Sequence, residues 1–395
     1  MYDLLVVGAG PVGSFLAGEM AGWGLQVLVL EEDQDPGDGV CCTGIVGQEC
    51  LARLSLPPNL VLHQGHALQV IPPWGEALYL EKDRPPAVVL DRPGLDLLLA
   101  QQAQARGAEY RFGVRVKDLE LQSGSVVARV ERGDPAEGRA VVLACGFGSP
   151  LPSQAGLGQV REYAWGVQSP VASGIDQVEV YLGKGLAPGF FAWLVPTRPG
   201  RALAGLLTKK NPRLALENFL SHLKALGRIA SWDKASAAPI PLHPLPRSYA
   251  DHLLAVGEAA GQVKPTTGGG IYYGLLAAEI AAETLKGAFS QGDFSARALA
   301  PYERGWRKRL GKEMSLGRWA RRLFARLSDR QVGELVAFLR DSGLAREMLQ
   351  GPDFSFDWHS RLILRALGHG GLSAFLRVAG VWPSGGPAQG QGRQE

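Results

Sequence analysis

The chain has 395 residues, of which 46% are hydrophobic and 20% are charged, and its formal net charge is +3. This length allows a large core without disulfides or metals, and so small a net charge argues against nucleic acid as a partner. Three of the four cysteines lie between Cys41 and Cys50, without disulfide or zinc spacing, which favours a reducing, cytoplasmic setting. We expect no signal peptide, because a charged N-terminal region is missing and the first apolar run belongs to a folded motif. We expect no membrane span, because no apolar run reaches about 18 residues.

The first residues predict a strand, a glycine turn, a helix and a second strand, the βαβ start of a doubly wound sheet. These elements occupy residues 4–7, 8–13, 11–23 and 26–30. Gly8, Gly10 and Gly13 form the pattern Gly-x-Gly-x-x-Gly, with Pro11 and Val12 inside it. Such glycines allow a tight turn, a close approach of the backbone to a pyrophosphate and close helix packing. The turn therefore predicts a dinucleotide site.

An acidic pair follows the second predicted strand. Glu31 comes 21 residues after Gly10, the spacing at which a carboxylate accepts hydrogen bonds from ribose hydroxyls, and Glu32 is adjacent to it. We include both in the predicted cofactor site. NAD and FAD share the adenosine diphosphate moiety, so the turn and the acids do not distinguish between them.

A second glycine site lies near residue 260, after a predicted strand at 253–256 and before an apolar helix at 271–286. It resembles the second FAD motif of p-hydroxybenzoate hydroxylase-like flavoproteins, in which an acid binds the ribityl chain and a helix N-terminus faces the flavin pyrimidine ring. That resemblance implies FAD, although Glu258 stands where the family usually has Asp. The implied cofactor contacts are Gly257, Glu258, Gly268, Gly269, Gly270 and Ile271.

The remaining pattern predicts an α/β fold with a discontinuous Rossmann-like FAD-binding domain, an inserted β-rich substrate domain and a C-terminal helical region. A capped helix is predicted at 91–106, a strand at 110–116, and a hairpin at 123–124 that leads into a strand at 125–131. The predicted limits are 1–160 and 251–300 for the FAD-binding domain, 161–250 for the substrate domain, 301–382 for the helical region and 383–395 for a disordered tail.

Four stretches together resemble the geranylgeranyl reductase family, over most of residues 1–330. Two are the glycine sites. The third is the segment from Leu90 to Asp96, similar to the family's Arg-x-x-apolar-Asp segment, which implies that Arg92 contacts the cofactor; the alternative is a surface arginine after a helix cap. The fourth is 191–196, similar to Tyr-x-Trp-x-Phe-Pro, with Phe191 in place of Tyr, Trp193 retained and a later Gly205. In the family it lines a prenyl pocket beside the flavin; the alternative is an ordinary core strand.

The segment 41–45 resembles the family's Cys-x-x-Gly-apolar loop, in which the cysteine lies near the flavin. The spacing favours Cys41 over Cys42, without deciding between them. A thiol there could supply a proton, although a free cysteine can also be inert filler. Cys145 and Gly146 stand where related hydroxylases have Asp-Gly, which argues mildly against hydroxylation.

The resemblance implies an FAD-dependent reductase that saturates C=C bonds of an isoprenoid or prenylated lipid, by hydride transfer from the flavin and protonation. Phe191, Trp193, Cys41 and Cys42 are the candidate catalytic residues, and NAD(P)H or ferredoxin is the expected electron donor. No metal is predicted, because the one close histidine pair, His63 and His66, has no supporting carboxylate.

Positive charge is concentrated near the C-terminus, where residues 301–330 contain ten Lys or Arg and three acids. Apolar residues at 316, 319, 320, 323, 324 and 327 have the spacing of one helix face. The basic helix 316–327 could therefore contact an anionic membrane surface, which would make the protein peripheral to the membrane. The alternative is a solvated face of a capping helix.

Two other functions are compatible with these patterns. A flavin-dependent monooxygenase or halogenase would use the same fold, and halogenases have a Trp-x-Trp-x-Ile-Pro segment that 191–196 also approaches. A redox-inactive, prenyl-binding escort would keep the pocket and lose the chemistry, which the intact glycine sites oppose.

Overall fold

The computed structural model describes residues 1–122, 124–352 and 354–368. Its first sheet has eight strands, numbered here along the chain: β1 Tyr2–Val7, β2 Val27–Leu30, β8 Glu109–Arg111, β9 Val116–Gln122, β10 Ser125–Val130, β11 Ala136–Leu143, β18 Tyr249–Ala250 and β19 Leu253–Ala255. Six of them lie in the order β18-β19-β11-β1-β2-β8, while β10 pairs with β11 and β9.

The centre of this sheet is parallel, because β1 pairs in parallel with both β2 and β11, and β11 pairs in parallel with β19. The β2 and β19 runs are continuously buried, as expected for parallel strands covered on both faces. The apolar residues of β1 divide between two cores, with Leu4 in one and Leu5 in the other. The structure thus confirms the predicted α/β fold with a Rossmann-like sheet.

Ten α-helices and two short 3-10 helices accompany the sheets in the described residues. The α-helices are α1 Pro11–Gly22, α2 Gln48–Leu51, α3 Arg92–Ala105, α4 Leu151–Gln154, α5 Pro212–Ala225, α6 Ile271–Gln291, α7 Ala296–Phe324, α8 Asp329–Asp341, α9 Leu344–Gln350 and α10 Ser360–Gly368. The 3-10 helices are Pro58–Leu60 and Gly257–Ala260. Helices α1, α3 and α6 pack together on the first sheet, and α7 packs on α6. No helix in the described residues is both long and apolar enough to cross a membrane.

The second sheet is largely antiparallel and has its own core. Its strands are β5 Ala67–Ile71, β6 Leu78–Glu81, β12 Tyr163–Ala172, β13 Val178–Tyr181, β14 Ala192–Pro196, β15 Arg201–Thr208, β16 Ser231–Trp232 and β17 Ser236–Pro241. A third sheet joins β3 Ile45–Gly47, β7 Ala87–Leu90 and β4 Val61–Gly65.

Two of the predicted domain limits do not coincide with the sheets and helices of the structure. Strand β5 pairs in parallel with β13, so residues 67–81 belong to the second sheet and not to the FAD-binding sheet. The boundary at residue 301 falls inside α7, which begins with Ser295 as its N-cap and continues through Pro301. Pro301 is the sixth residue of α7 and has no N–H to donate to the Arg297 carbonyl, so the helix continues with one backbone hydrogen bond missing. The other limits stay predictions, and the tail at 383–395 lies outside the described residues.

The predicted strand at 110–116 is also wrong, because Gly113 interrupts it. Gly113 has a φ of +69°, and the N–H groups of Gly113 and Val114 donate to the carbonyls of Asp33 and Glu31. The chain therefore leaves the sheet edge after β8 and re-enters at β9. The helix at 91–106 is confirmed, since Asp91 caps α3 by accepting from the Gly94 N–H.

The predicted apolar face of the basic helix is wrong in part. Helix α7 ends at Phe324, and Trp319 is 47% exposed, whereas Arg321 is only 6% exposed. The helix buries Arg321 because its guanidinium donates to Glu162 beside β12. A charge pair therefore overrides the apolar spacing.

Candidate active site

One cavity of about 1220 Å³ lies between the first and second sheets and reaches α7 and α10. This volume exceeds the range of about 300 to 1,000 Å³ typical of sites for one small ligand. All but one of the predicted site residues line it. They are Gly8, Gly10, Pro11, Val12, Glu31, Glu32, Cys41, Cys42, Arg92, Phe191, Trp193, Gly257, Glu258, Gly268, Gly269, Gly270 and Ile271.

The first glycine turn is fixed by backbone contacts. Gly8 has a φ of +106°, and a Cβ there would lie 2.5 Å from the Ala144 carbonyl oxygen. Gly13, the predicted residue outside the lining, would place a Cβ 2.1 Å from the Gly8 carbonyl oxygen, so it serves helix packing. Gly10 is different, because nothing lies within 4 Å of its Cβ position. The turn thus leaves open space at the N-terminus of α1, which has no side-chain cap and whose N–H groups can bind phosphate.

The two acids after β2 differ in environment. Glu31 accepts hydrogen bonds from the N–H groups of Ala9 and Asp33, so it is tied to the glycine turn. Burial raises the pKa of its carboxyl, although these hydrogen bonds oppose the shift. Glu32 is about half exposed and forms an ion pair with Arg115, with 3.0 Å between Oε2 and Nε. Glu31 therefore has the better position for a ribose, while the role of Glu32 stays a prediction.

Arg92 is buried, so it is not the surface arginine after a helix cap that the sequence also allowed. Its Nη2 donates to Asp96 at 2.7 Å, and its Nε is buried with no hydrogen-bond partner in the described residues. The Glu258 carboxyl lies within electrostatic range of Arg92. Burial raises the pKa of Glu258 above its ordinary value, and the Arg92 charge opposes this shift only in part. Arg92 and Glu258 thus bring a cation with a free donor and a carboxylate to one wall of the cavity.

The second glycine site forms the entrance to α6, whose N-cap residue Gly270 has no side chain to cap the helix. A Cβ at Gly270 would lie 2.8 Å from Glu258 Oε1, so this glycine makes room for the acid. The uncapped N–H groups give this end of the cavity a positive partial charge. That charge would stabilise an anionic ring bound next to the helix N-terminus.

A buried ion pair supports this loop from the C-terminal side. Lys264 Nζ donates to Asp357 Oδ1 at 2.8 Å, and the two side chains are 5% and 1% exposed. Next to it, His359 Nε2 donates to the Phe356 carbonyl and Nδ1 accepts from the Thr266 hydroxyl. Burial and the Lys264 charge lower the pKa of His359, so its imidazole is neutral.

The two cysteines of the predicted loop have different contacts. The Cys41 thiol donates to the Gly166 carbonyl of β12 at 3.8 Å, and burial raises its pKa. Cys42 accepts from the Gly44 N–H at 3.4 Å and interacts with the Arg92 guanidinium. Cys41 therefore carries a proton at neutral pH and faces the second sheet, while Cys42 belongs with Arg92.

Trp193 and Phe191 form an aromatic wall, with ring centroids 5.8 Å apart. Trp193 pairs across strands with Gly205, where a Cβ would lie 2.6 Å from the indole. Gly205 thus lets the ring lie across β15. The Trp193 Nε1 is buried with no partner in the described residues. Both rings line the cavity, while Ala192 and Leu194 of the same strand are buried in the core of the second sheet, so a role of 191–196 in a prenyl pocket stays a prediction.

Beyond this wall the lining of the cavity is mostly apolar, with Arg321 as a charged exception. Side chains one position apart on a strand point to opposite faces, so alternate residues of β13 and of the segment after it face the cavity. Residues of β5, the C-terminal end of α7 and the N-terminal half of α10 complete the lining. The apolar lining residues at this end are Leu68, Val178, Val180, Leu182, Phe190, Ala320, Phe324, Leu362 and Ile363.

Several lining residues were not predicted. Lys264 lies between the two halves of the second glycine site, so its position in the motif was a usable signal. Asp357 and His359 carried none, because they come more than 90 residues later and reach the cavity only through the packing of α7 and α10.

Comparisons with known proteins identify the family of this chain. The family described as FAD dependent oxidoreductase matches residues 48–229. A digeranylgeranylglycerophospholipid reductase of Methanothermobacter thermautotrophicus is 32% identical over 87% of this chain and 93% of its own. The chain belongs to the geranylgeranyl reductase family. A second relative, the digeranylgeranylglycerophospholipid reductase of Methanothrix thermoacetophila, is 29% identical over 88% of this chain and 94% of its own.

Solved structures agree on the fold of this family member. A geranylgeranyl bacteriochlorophyll reductase-like protein of Thermoplasma acidophilum has a TM-score of 0.84 at 22% identity, covering 96% of this chain and 99% of that one. A variant of halogenase PltM, solved with FAD, has a TM-score of 0.68 at 15% identity, covering 96% and 86%. The geranylgeranyl reductase family member is an FAD-dependent oxidoreductase, as predicted.

The described residues fit FAD. A bound dinucleotide would occupy the open space at Gly10. It would also accept hydrogen bonds from the uncapped N-termini of α1 and α6 and from the Nε of Arg92, which has no partner among the described residues. Glu31 and the α1 N-terminus would hold the adenosine diphosphate part, and Arg92, Glu258 and the α6 N-terminus would surround the flavin part.

Proposed function

We propose that this chain reduces C=C bonds of a geranylgeranyl or other polyprenyl chain, carried by a lipid, a prenylquinone or a diphosphate. The observation that carries the proposal is the cavity between the two sheets: its polar end has the glycine cradle, and its apolar end, from Phe191 to α10, suits a long hydrocarbon. The names of the relatives support the same substrate class.

FAD would supply the hydride, and the chain must supply a proton, because saturation of an alkene adds both. Cys41 is our candidate donor, since burial keeps its thiol protonated and it lies on the cavity wall. The rings of Phe191 and Trp193 face the space in which positive charge would develop during protonation. Each ring could stabilise such charge by about 0.5 to 2 kcal/mol.

The electron donor is proposed to be NAD(P)H or ferredoxin, one of which must reduce the flavin between turnovers. We also propose that the protein contacts a membrane surface to reach a lipid substrate. In the basic helix 316–327, the exposed Trp319 and Arg326 would contact the membrane surface, whereas Arg321 and Arg322 bind Glu162.

Product mass distinguishes this function from its alternatives. The holoenzyme, reduced with dithionite without oxygen, is incubated with geranylgeranyl lipids, prenylquinones and geranylgeranyl diphosphate. We expect a product that gains two mass units for each bond reduced. A gain of sixteen units under air would indicate hydroxylation instead, and purification without flavin, together with unchanged prenyl compounds, would indicate an escort.

A further inference from the structure

A cluster of cations surrounds one carboxylate beside the apolar end of the cavity. We define it as the basic cluster, made by Lys209, His243, Arg318, Arg321 and Arg322. Glu162 Oε1 lies 2.6 Å from Arg321 Nη2 and 3.2 Å from Lys209 Nζ, and Oε2 lies 3.1 Å from Arg322 Nη2. Partial burial raises the pKa of Glu162, but these cations overcome that effect and lower it to about 2. A single permanent anion therefore faces four permanent cations.

His243 reveals a shortage of hydrogen-bond acceptors in this cluster. Its Nδ1 lies 2.7 Å from Arg318 Nη1 and its Nε2 lies 3.0 Å from Arg322 Nη2. Burial and the charge of Arg318 lower the pKa of His243, so the ring is neutral and has only one nitrogen that can accept. With Nδ1 accepting from Arg318, the Nε2–H faces Glu162 Oε2 at 3.5 Å, so the ring offers no acceptor to Arg322, which shares the Glu162 carboxylate with the other cations.

Arg318 and Arg321 also have unused donor capacity. In the described part of the chain, Arg318 forms no ion pair, and its other contact is with the Ser315 hydroxyl. Arg321 is 6% exposed, and its Nε is buried with no partner among the described residues. Arg321 lines the cavity and its guanidinium lies 5.5 Å from the Phe190 ring centroid. The basic cluster is thus continuous with the apolar end of the cavity.

We propose that the basic cluster binds the phosphate or diphosphate group of the prenyl substrate, while the hydrocarbon lies in the apolar end of the cavity. The inference rests on the proposed function and selects, among its substrates, those that carry a phosphoester. Arginine forks match phosphate oxygens, and a phosphate supplies the acceptors that the cluster lacks. Lys209 and Arg322 are 52% and 55% exposed, so a polar head group can enter from solvent.

The test compares geranylgeranyl diphosphate with geranylgeraniol, which has the same chain and no phosphate. For the FAD-loaded double variant R318Q/R322Q, we expect KM for the diphosphate to rise about tenfold to a hundredfold, with kcat nearly unchanged. KM for geranylgeraniol should not change. Calorimetry should show that inorganic pyrophosphate binds the wild-type holoenzyme and binds the variant at least about tenfold more weakly.

The matched control is R304Q/K308Q, which removes two positive charges at the same spacing from exposed positions of α7 that do not line the cavity, and it should behave as wild type. An unchanged KM for the diphosphate in R318Q/R322Q, or pyrophosphate binding equal to wild type, would overturn the inference. The same holds if the only loss is binding to anionic phosphatidylglycerol vesicles, since that would assign the cluster to a membrane surface. If wild type reduced neither these two compounds nor geranylgeranyl lipids and prenylquinones, the proposed function would be overturned, while the pyrophosphate titration would still test the cluster.

Discussion

The two ends of the cavity are built in different ways. The polar end is shaped by backbone, since Gly8 and Gly13 have no room for a Cβ and the helix N-termini provide the binding groups. The apolar end is shaped by side chains from the second sheet, α7 and α10. Side chains of similar volume can replace one another, whereas a glycine at positive φ or close approach cannot be replaced. The polar end should therefore tolerate almost no substitution, and the apolar end should change its substrate preference without losing the fold.

The largest effect should come from the ion pair that supports the polar end. Lys264→Met leaves the Asp357 carboxylate buried without its partner, so we expect the free energy of unfolding to fall by about 3 to 5 kcal/mol, measured by urea denaturation. The double variant K264M/D357L should recover most of this loss. No recovery in the double variant would mean that the pair does more than neutralise charge.

The glycine turn separates folding from cofactor binding. Gly8→Ala should destabilise the protein by about 3 kcal/mol through its positive φ and its clash with Ala144. Gly10→Ala should leave the unfolding free energy of the flavin-free protein unchanged, because its Cβ position is open, yet lower the retention of flavin on gel filtration. If both variants lose stability equally, the open space at Gly10 does not serve a ligand.

Acid should weaken the junction between α7 and the second sheet. The folded-state pKa of Glu162 is about 2, below its ordinary value of 4.5, so its contribution is complete above pH 4.5 and disappears as the pH falls towards 2. Allowing for its partly exposed side chain, we expect a loss of about 2 kcal/mol over that range. Glu162→Gln is the control and should remove this part of the pH dependence; an identical pH profile would contradict the assignment.

The smallest effect concerns the aromatic wall. Trp193→Leu keeps an apolar side chain but removes a ring face, so reduction of a prenyl substrate should slow by about twofold to thirtyfold. Reduction of the flavin by its donor should keep its rate. Stopped-flow measurement of both half-reactions checks this, and equal effects on the two would remove the charge-stabilising role of Trp193.

The difference between the two ends also explains what could be predicted from sequence. A glycine turn with its strand, helix and acid is a local pattern, so Gly8 to Glu31 and Gly257 to Ile271 could be found directly. Of the apolar end, only Phe191 and Trp193 were predicted, through the family resemblance. The rest could not be, because β5 joins β13 across about a hundred residues, and the support of the polar end was missed because Asp357 reaches Lys264 across 93. The amphipathic spacing of 316–327 was misleading for the same reason, since Arg321 is buried by a distant Glu162.

The most direct test of the central claim is the reoxidation of reduced flavin by a prenyl substrate without oxygen. The holoenzyme is reduced, the excess reductant is removed, and geranylgeranyl diphosphate is added while the flavin absorbance is recorded. We predict that the absorbance of oxidised flavin returns, with one C=C bond reduced for each flavin reoxidised. Flavin that stays reduced with this substrate and with geranylgeranyl lipids, and is reoxidised only by oxygen, would contradict the claim.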